Sequence, residues 1–334
     1  MIGFVLLYLC IARVCVYAYV PLHNAYYPLC LESELHRDKA TVFNHFEEPI
    51  VAWIGADSRP VAFVDGCPHR GASFDGADVD QRSDVTCPYH GFTFADTDGK
   101  LTDGIGVRPG CARLQKKIAI VGEGIVWVSS RADAIHPPFT GPKSGFRRIS
   151  GADYMQCEID QLIVNLLDPI HTSFVHSTSF GNSNDPEPKD FKVHPPPVEG
   201  VSGMSSYKYN SSPLSPSTWL LGSSGVEVVN SFHLPSTQSS NVSVAGRSKL
   251  ITVHIGPGRA KGESRLYWTL DRDFATGFAQ ISDRITSAML LMVLNEDRAM
   301  LKKCYPDALW GRTHSRYDTL QLQYRALYNK HRFG

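Results

Sequence analysis

The chain has 334 residues, with 33 Lys and Arg against 33 Asp and Glu, and 43 % of its residues are hydrophobic. A formal net charge of zero argues against a nucleic-acid-binding protein, because phosphate contacts need an excess of basic side chains. The length allows two domains with ordinary hydrophobic cores. The eight cysteines are scattered along the sequence, which favours a reduced protein over a disulfide framework.

The chain begins with a strongly apolar segment. Residues 2–20 read IGFVLLYLCIARVCVYAYV, and as a helix they would span about 30 Å, the thickness of a bilayer core. Arg13, near the middle, offsets most of the predicted insertion energy. No basic residue precedes the run, which disfavours a secretory signal. We expect residues 1–22 to be an apolar leader or a membrane anchor.

Two similar short motifs follow. They read Cys67-Pro-His69-Arg-Gly and Cys87-Pro-Tyr-His90-Gly. Each supplies one thiolate and one imidazole, and its Pro and Gly suit a tight turn. This is the ligand set of a Rieske [2Fe-2S] cluster, in which two histidines replace two cysteines on one iron. A Cys2His2 zinc site is the alternative, although zinc sites usually open with a Cys-x2-4-Cys pair.

Short apolar runs separated by Asp, Gly and Pro surround these motifs and predict an all-β module. They lie at residues 50–54, 60–64 and 117–121. A Pro- and Gly-rich stretch at residues 137–142 predicts a linker. We therefore expect a Rieske domain over residues 23–136 and a second domain over residues 143–334.

A second candidate metal motif lies in the second domain. It reads Asn165-Leu-Leu-Asp168-Pro-Ile-His171-Thr-Ser-Phe-Val-His176. Two imidazoles and one carboxylate on one face suit non-haem Fe(II), because the opposite positions stay open for dioxygen. An isolated His-x4-His is more often a pair of ordinary histidines, but beside the two cluster motifs His171 and His176 become candidates for two of these ligands. Their spacing of five does not fit one face of a regular helix, so we expect the helix to be distorted or to end between them.

Together, the two cluster motifs and the Asn-x2-Asp-x2-His-x4-His pattern resemble the hydroxylase (α) component of Rieske non-haem iron oxygenases, particularly the small monooxygenase and O-demethylase members. Rieske proteins of cytochrome bc complexes carry an extra cysteine in each loop, where this chain has Ala72 and Tyr89. The resemblance implies an α+β fold, with the all-β Rieske domain followed by an antiparallel-sheet catalytic domain covered by helices, similar to a helix grip. Alternating runs at residues 225–234 and 249–255 fit strands of that sheet. The Pro-rich segment 181–200 fits a loop.

The resemblance also implies a carboxylate ligand late in the chain. A segment from about Thr276 to Lys303 carries apolar residues at helical spacing and predicts a long amphipathic helix. These apolar residues are Ile281, Ile285, Ala288, Met289 and Met292. The segment's Asn-Glu-Asp-Arg sequence is similar to the family's acidic-Asp-x3-Leu pattern, so we expect Asp297 to complete the metal site. Glu296 is the second candidate.

The resemblance also implies roles for two other residues of the motif at residues 165–176. Asp168 would hydrogen-bond an iron-binding histidine and the cluster histidine of a neighbouring subunit, and would thereby connect the two metal sites. A buried structural aspartate is the alternative. Asn165 would lie close to the iron without binding it tightly.

The implied activity is that of a terminal oxygenase. Electrons from NAD(P)H would arrive through a separate reductase or ferredoxin, because the sequence has no nucleotide-binding fingerprint. They would pass from the cluster to the mononuclear Fe(II) of an adjacent subunit in a homotrimer. The iron would use O2 to hydroxylate or oxidatively dealkylate a small apolar substrate, in the cytoplasm or in an organelle stroma or matrix. The alternatives are a membrane-associated sterol or pigment oxygenase or desaturase of the same family, and an electron carrier without oxygenase activity.

Overall fold

The computed structural model describes residues 19–46, 48–213, 215, 223–311 and 313–333. Its first part contains two antiparallel sheets, one of six strands in the order β1-β9-β8-β4-β3-β2 and one of three in the order β5-β6-β7. The strands are β1 Tyr27–Leu31, β2 Thr41–Phe43, β3 Ile50–Ile54, β4 Pro60–Val64, β5 Val85–Thr86, β6 Thr93–Phe94, β7 Leu101–Asp103, β8 Lys116–Gly122 and β9 Ile125–Ser129. The three predicted apolar runs are confirmed as β3, β4 and β8.

The second part is a seven-stranded antiparallel sheet in the order β10-β16-β15-β14-β13-β12-β11. Its strands are β10 Arg147–Met155, β11 Lys189–His194, β12 Ser202–Asn210, β13 Gly225–His233, β14 Thr237–Val244, β15 Arg247–Pro257 and β16 Ser264–Arg272. The two strands predicted here are confirmed as β13 and β15. The loop predicted at residues 181–200 is wrong in part, because it contains β11. This strand lies at the edge of the sheet and pairs irregularly with β12. Its alternating residues 190–194 are few and lie between Pro188 and Pro195, which favour a loop.

Helices in the described part of the chain cover the inner face of this sheet. They are α1 Ile159–Leu167, α2 His171–Val175, α3 Ala279–Leu301 and α4 Thr319–Phe333. Side chains of α1, α3 and α4 share one hydrophobic core with alternate residues of the strands, among them Leu162, Leu290, Leu320, Val253 and Trp268. The predicted α+β fold, an antiparallel sheet covered by helices, is confirmed.

The long helix α3 is present, but the apolar residues that predicted it are largely exposed. Its buried side chains are Leu290, Leu294, Asp297 and Leu301. In contrast, Ile281 and Ile285 are 63 % and 57 % exposed. The apolar periodicity therefore identified the helix without identifying which face packs against the domain.

The opposite, outer face of the sheet packs against the first, all-β part of the chain through a buried ionic cluster. Glu123 lies in the turn between β8 and β9, where it and Gly124 both have positive φ, as in a two-residue hairpin turn. Its carboxylate is 3.1 Å from Arg148 and 3.0 Å from His254. Arg148 also binds Asp271, at 2.6 Å.

Burial raises the pKa of Glu123, but His254 and Arg148 outweigh it and hold the pKa at about 2. Because this pKa lies below the unfolded value, the stabilisation is full above about pH 5 and is lost as the pH falls toward 2.

Arg148→Met is expected to destabilise the protein strongly at pH 7, because it leaves Glu123 and Asp271 buried without their shared cation. Removing one partner of a buried ionic group typically costs about 3–5 kcal/mol. Arg131→Met is the matched control, since Arg131 and Asp133 form an exposed pair and such pairs contribute little to stability. Urea unfolding measures both variants. Equal unfolding midpoints for the two would contradict the expectation.

The predicted leader or anchor, residues 1–22, lies mostly outside the described residues, and both interpretations stay predictions. The last residues of that segment are part of the folded core. Tyr19 is buried with its hydroxyl 3.0 Å from that of Tyr27, and the Leu22 N–H donates to Tyr27 at 2.9 Å. No helix among the described residues is long and apolar enough to cross a membrane.

Candidate metal centres

Two loops of the all-β part of the chain have nearly the same backbone conformation. In each, the cysteine N–H donates to the carbonyl five residues later, and the cysteine carbonyl accepts from the glycine four residues later. The pairs are Cys67 to Ala72 at 2.8 Å, Gly71 to Cys67 at 2.7 Å, Cys87 to Phe92 at 2.8 Å and Gly91 to Cys87 at 3.0 Å. Both glycines have φ of 70°, a left-handed conformation that glycine adopts without strain.

These loops bring the four predicted cluster ligands together. Cys67 and Cys87 are buried, and burial raises the pKa of the Cys67 thiol, with a further contribution from the neighbouring Cys87. The rings of His69 and His90 are 4.6 Å apart and exposed. Two buried thiols beside two exposed imidazoles fit a Rieske [2Fe-2S] cluster, with the histidine side accessible to a redox partner.

The second motif lies where α1 and α2 meet. Helix α1 ends at Leu167, and α2 begins at His171 and ends at Val175. The predicted interruption between the two histidines is therefore confirmed, because His176 already lies outside the helix. The interruption lets both imidazoles approach one point, with ring centroids 5.2 Å apart.

Asp297 reaches the same point from α3. Its Oδ1 lies 3.6 Å from Nε2 of His171 and 3.4 Å from Nε2 of His176. One ligand atom from each residue lies within 4.8 Å of the others. Burial raises the pKa of Asp297, but the two histidines outweigh it and the pKa is lowered. Two imidazoles and a buried carboxylate fit a mononuclear Fe(II) site with open positions.

Neighbouring groups orient the three candidate ligands. Nδ1 of His171 donates to the main-chain oxygen of Asp168 at 2.6 Å, which leaves Nε2 free for a metal. The Asn165 amide donates to Asp297 Oδ1 at 2.9 Å. Asn165 thus contacts a ligand, consistent with a position near the metal but not on it. Such outer hydrogen bonds fix ring orientation and tune metal affinity.

Asp168 differs in one respect from what the resemblance implies. Its contact with His171 is made by the main-chain carbonyl, while its carboxylate accepts the Ile170 N–H at 2.7 Å. Burial raises the pKa of Asp168 even though His171 acts against it. The carboxylate has two oxygens, so this one N–H does not use its full capacity to accept hydrogen bonds.

Glu296 has a role that the sequence did not reveal. Its carboxylate accepts from Nδ1 of His176 at 2.8 Å and from Ser179 at 2.8 Å. It therefore positions a ligand instead of replacing Asp297 as one. Adjacency to Asp297 was the only sequence signal, and it does not show which histidine Glu296 meets.

Glu296→Ala is expected to weaken Fe(II) binding by about 10–100-fold, the usual effect of removing a carboxylate behind a ligand histidine. Glu296→Gln retains an oxygen acceptor, so its Fe(II) affinity should lie between that of Glu296→Ala and that of the wild type. Competition with a chromophoric chelator measures the affinity. Glu187→Ala is the control, because Glu187 forms an exposed pair with Arg316. Wild-type iron affinity in Glu296→Ala would refute the positioning role.

Comparison with known families decides the assignment. The Rieske [2Fe-2S] domain family matches residues 25–116, and the vanillate O-demethylase oxygenase C-terminal domain family matches residues 155–332, more than half of the chain. The chain belongs to the Rieske oxygenase family. All four candidate cluster ligands of this Rieske oxygenase fall within the first match, and its three candidate iron ligands fall within the second.

Individual relatives agree with this assignment. The Rieske oxygenase is 25 % identical to chlorophyllide a oxygenase, chloroplastic, of Oryza sativa subsp. japonica over 319 residues, 91 % of this chain and 56 % of that protein. It is 28 % identical to the vanillate O-demethylase oxygenase subunit of Pseudomonas sp. (strain HR199 / DSM 7063) over 204 residues, 59 % of this chain and 55 % of that protein. The chain thus spans about half the length of these curated relatives.

Solved structures show the same fold. Dicamba monooxygenase bound to dicamba superposes with a TM-score of 0.74 at 18 % identity, covering 95 % of this chain and 98 % of that one. Pseudomonas putida CBB5 NdmA with caffeine gives a TM-score of 0.75 at 17 % identity, covering 91 % and 89 %. The Rieske oxygenase therefore has the same overall fold as these two chains.

Proposed function

We propose that this chain is the terminal oxygenase component of a Rieske system and that it hydroxylates or oxidatively dealkylates a small, largely apolar organic substrate. The observation that supports this most strongly is the presence on one chain of both a full set of cluster ligands and the convergent His171, His176 and Asp297. When bound, the cluster supplies electrons singly and the iron supplies dioxygen activation.

The residues of the chain prepare the site for this chemistry. His171 and His176 present Nε2 to the metal because their Nδ1 atoms are held by Asp168 and Glu296. Phe180 stacks on the His176 ring at 4.9 Å and covers one side of it with an apolar surface. Exclusion of water from such a site limits side reactions.

The overall reaction joins one oxygen atom of O2 to a substrate C–H bond and releases the other as water, with two electrons and two protons consumed. If the hydroxylated carbon also carries an ether oxygen, the product breaks into an alcohol and an aldehyde. Hydroxylation and O-dealkylation are therefore two outcomes of the same step.

The partners and location follow from the same proposal. A reductase or ferredoxin would deliver electrons at the exposed cluster loops, where Tyr89 is 62 % exposed beside His90. A homotrimer would bring the cluster of one subunit to Asp168 of the next. We place the protein in the cytoplasm or in an organelle stroma or matrix, consistent with relatives whose names include "chloroplastic". Residues 2–20 would supply any membrane association.

The proposed function is tested by oxygen incorporation. The iron-loaded protein is supplied with NADPH, ferredoxin and ferredoxin reductase under labelled O2, with a panel of methoxyarenes, alkylarenes, sterols and tetrapyrroles. We expect at least one product with a single labelled oxygen atom, or release of formaldehyde from a methoxyarene. His171→Ala should give neither. A loaded, reducible wild-type protein that gives no labelled product from any panel member would contradict the proposed function.

A further inference from the structure

The inner face of the catalytic sheet carries an apolar surface that begins at the candidate iron site. Phe180, which stacks on His176, packs against a buried cluster that includes Tyr207 and Val228. The Tyr207 hydroxyl lies next to Thr172, the residue after His171. An apolar molecule placed next to the iron would therefore continue along these strands.

Lys249 lies on the same face of the sheet. In the strand register it pairs with Val242 on β14 and with Arg272 on β16, and paired residues share a face. Val242 packs on the apolar cluster, and Ile251, two residues after Lys249, packs on the core beneath the helices. The Lys249 side chain is thus directed inward, between the apolar cluster and the start of α3.

The strand register also gives the distance from Lys249 to Tyr207, which lies at the end of this surface near the candidate iron site. Tyr207 pairs with Val228, Val228 with Val242, and Val242 with Lys249. Lys249 is therefore three strands from Tyr207, about 14 Å at the usual strand spacing. A substrate that contacts both ends would have an extended apolar body.

Lys249 has no carboxylate partner within the part of the chain that the structure describes. Burial lowers the pKa of the Lys249 ammonium, and no acidic group raises the pKa in return. The nearby Arg272 is different, because its guanidinium binds Asp283 and Ser282. Residues 214–222, which the structure describes only at Ser215, contain no Asp or Glu.

A second inward lysine provides a contrast. Lys117 is buried, and its ammonium is 2.6 Å from the carboxylate of Glu48. This is the usual arrangement, because a charged group removed from water is costly unless it is paired. Lys249 and its neighbours Val242 and Ile251 are partly buried and not fully covered by the described residues, so a ligand can reach this ammonium.

We propose that Lys249 binds a carboxylate of the substrate while the adjacent apolar surface holds the hydrophobic body of the substrate beside the iron. The inference rests on the proposed function and narrows its substrate class to extended apolar carboxylic acids. Neutral analogues of the same shape would bind more weakly, because they leave the ammonium unpaired.

The test compares acids with their methyl esters by calorimetry on the oxidised, iron-loaded protein. The probe pairs are para-methoxybenzoate, a methoxynaphthoate and a tetrapyrrole carboxylate, each with its ester. We expect the wild type to bind at least one acid about 10-fold more tightly than its ester. Lys249→Met should remove that preference by weakening the acid alone, and Lys249→Arg should retain most of it. Lys208→Met is the matched control, since Lys208 on β12 lies near Asp190 and Glu227.

If Lys249→Met does not fold, chemical labelling of lysines in the wild type provides a second test. Brief treatment with acetic anhydride, read by mass spectrometry, should label Lys249 less in the presence of the acid than of the ester, while Lys208 labelling stays constant. The proposal is overturned if no acid is preferred over its ester, if the preference survives Lys249→Met, or if the acid does not protect Lys249.

The two proposals can fail separately, because these binding measurements need neither electrons nor turnover. Acid binding at Lys249 without oxygen incorporation would contradict the oxygenase function alone. Oxygen incorporation into neutral substrates, without an acid preference, would contradict the role of Lys249 alone.

Discussion

Asp168→Asn is expected to reduce turnover by about 100-fold or more while both metal centres remain loaded. The substitution preserves size, and the main-chain oxygen that accepts from His171 is unaffected. The asparagine oxygen can still accept the Ile170 N–H, as the carboxylate does now at 2.7 Å. Only the negative charge is lost, and with it the strong acceptor proposed for the cluster histidine of the neighbouring subunit.

The measurement combines iron content, the paramagnetic resonance signal of the reduced cluster and a single-turnover assay with a pre-reduced cluster. Asp185→Asn is the control, because the same change of charge is made there at an exposed pair with Lys189. Turnover by Asp168→Asn within a few-fold of the wild type would show that the carboxylate does not connect the two centres.

Cys87→Ser is expected to abolish turnover by removing the cluster while leaving the mononuclear iron. Cluster irons need thiolate ligands, and the serine hydroxyl is a poor replacement. Cys87 is 1 % exposed, so no outside ligand can take its place without opening the loop. We expect about one iron per chain and no Rieske signal.

Cys111→Ser is the control for loss of a cysteine as such, because Cys111 is a free, exposed thiol. It should retain full iron content and activity. A Rieske signal of normal intensity in Cys87→Ser would mean that the two loops do not hold the cluster as assigned.

Much of the fold and of the candidate site could be predicted from the sequence, because the ligand residues are chemically distinctive and lie in short motifs. The break between α2 and His176 followed from the spacing of five residues alone. Asp297 was identifiable only through the family resemblance, since it comes from a helix more than 100 residues away and nothing local separates it from Glu296.

Other features depend on tertiary packing and left no sequence signal. The exposed Ile281 and Ile285 show that helical periodicity does not determine which face is buried. The short alternation of edge strand β11 lies between prolines that favour a loop. The main-chain contact of Asp168, the support of His176 by Glu296 and the unpaired Lys249 all depend on which elements meet in space.

The central claim is that one chain holds a Rieske cluster and a separate catalytic iron. It is tested most directly by iron per chain and paramagnetic resonance of the reduced protein, for the wild type, His171→Ala and the control His194→Ala, whose histidine hydrogen-bonds Ser206 on the neighbouring strand. We predict about three irons in the wild type and the control and about two in His171→Ala, with the same Rieske signal throughout. About two irons in all three proteins, after reconstitution with ferrous iron, would contradict the claim and leave an electron carrier.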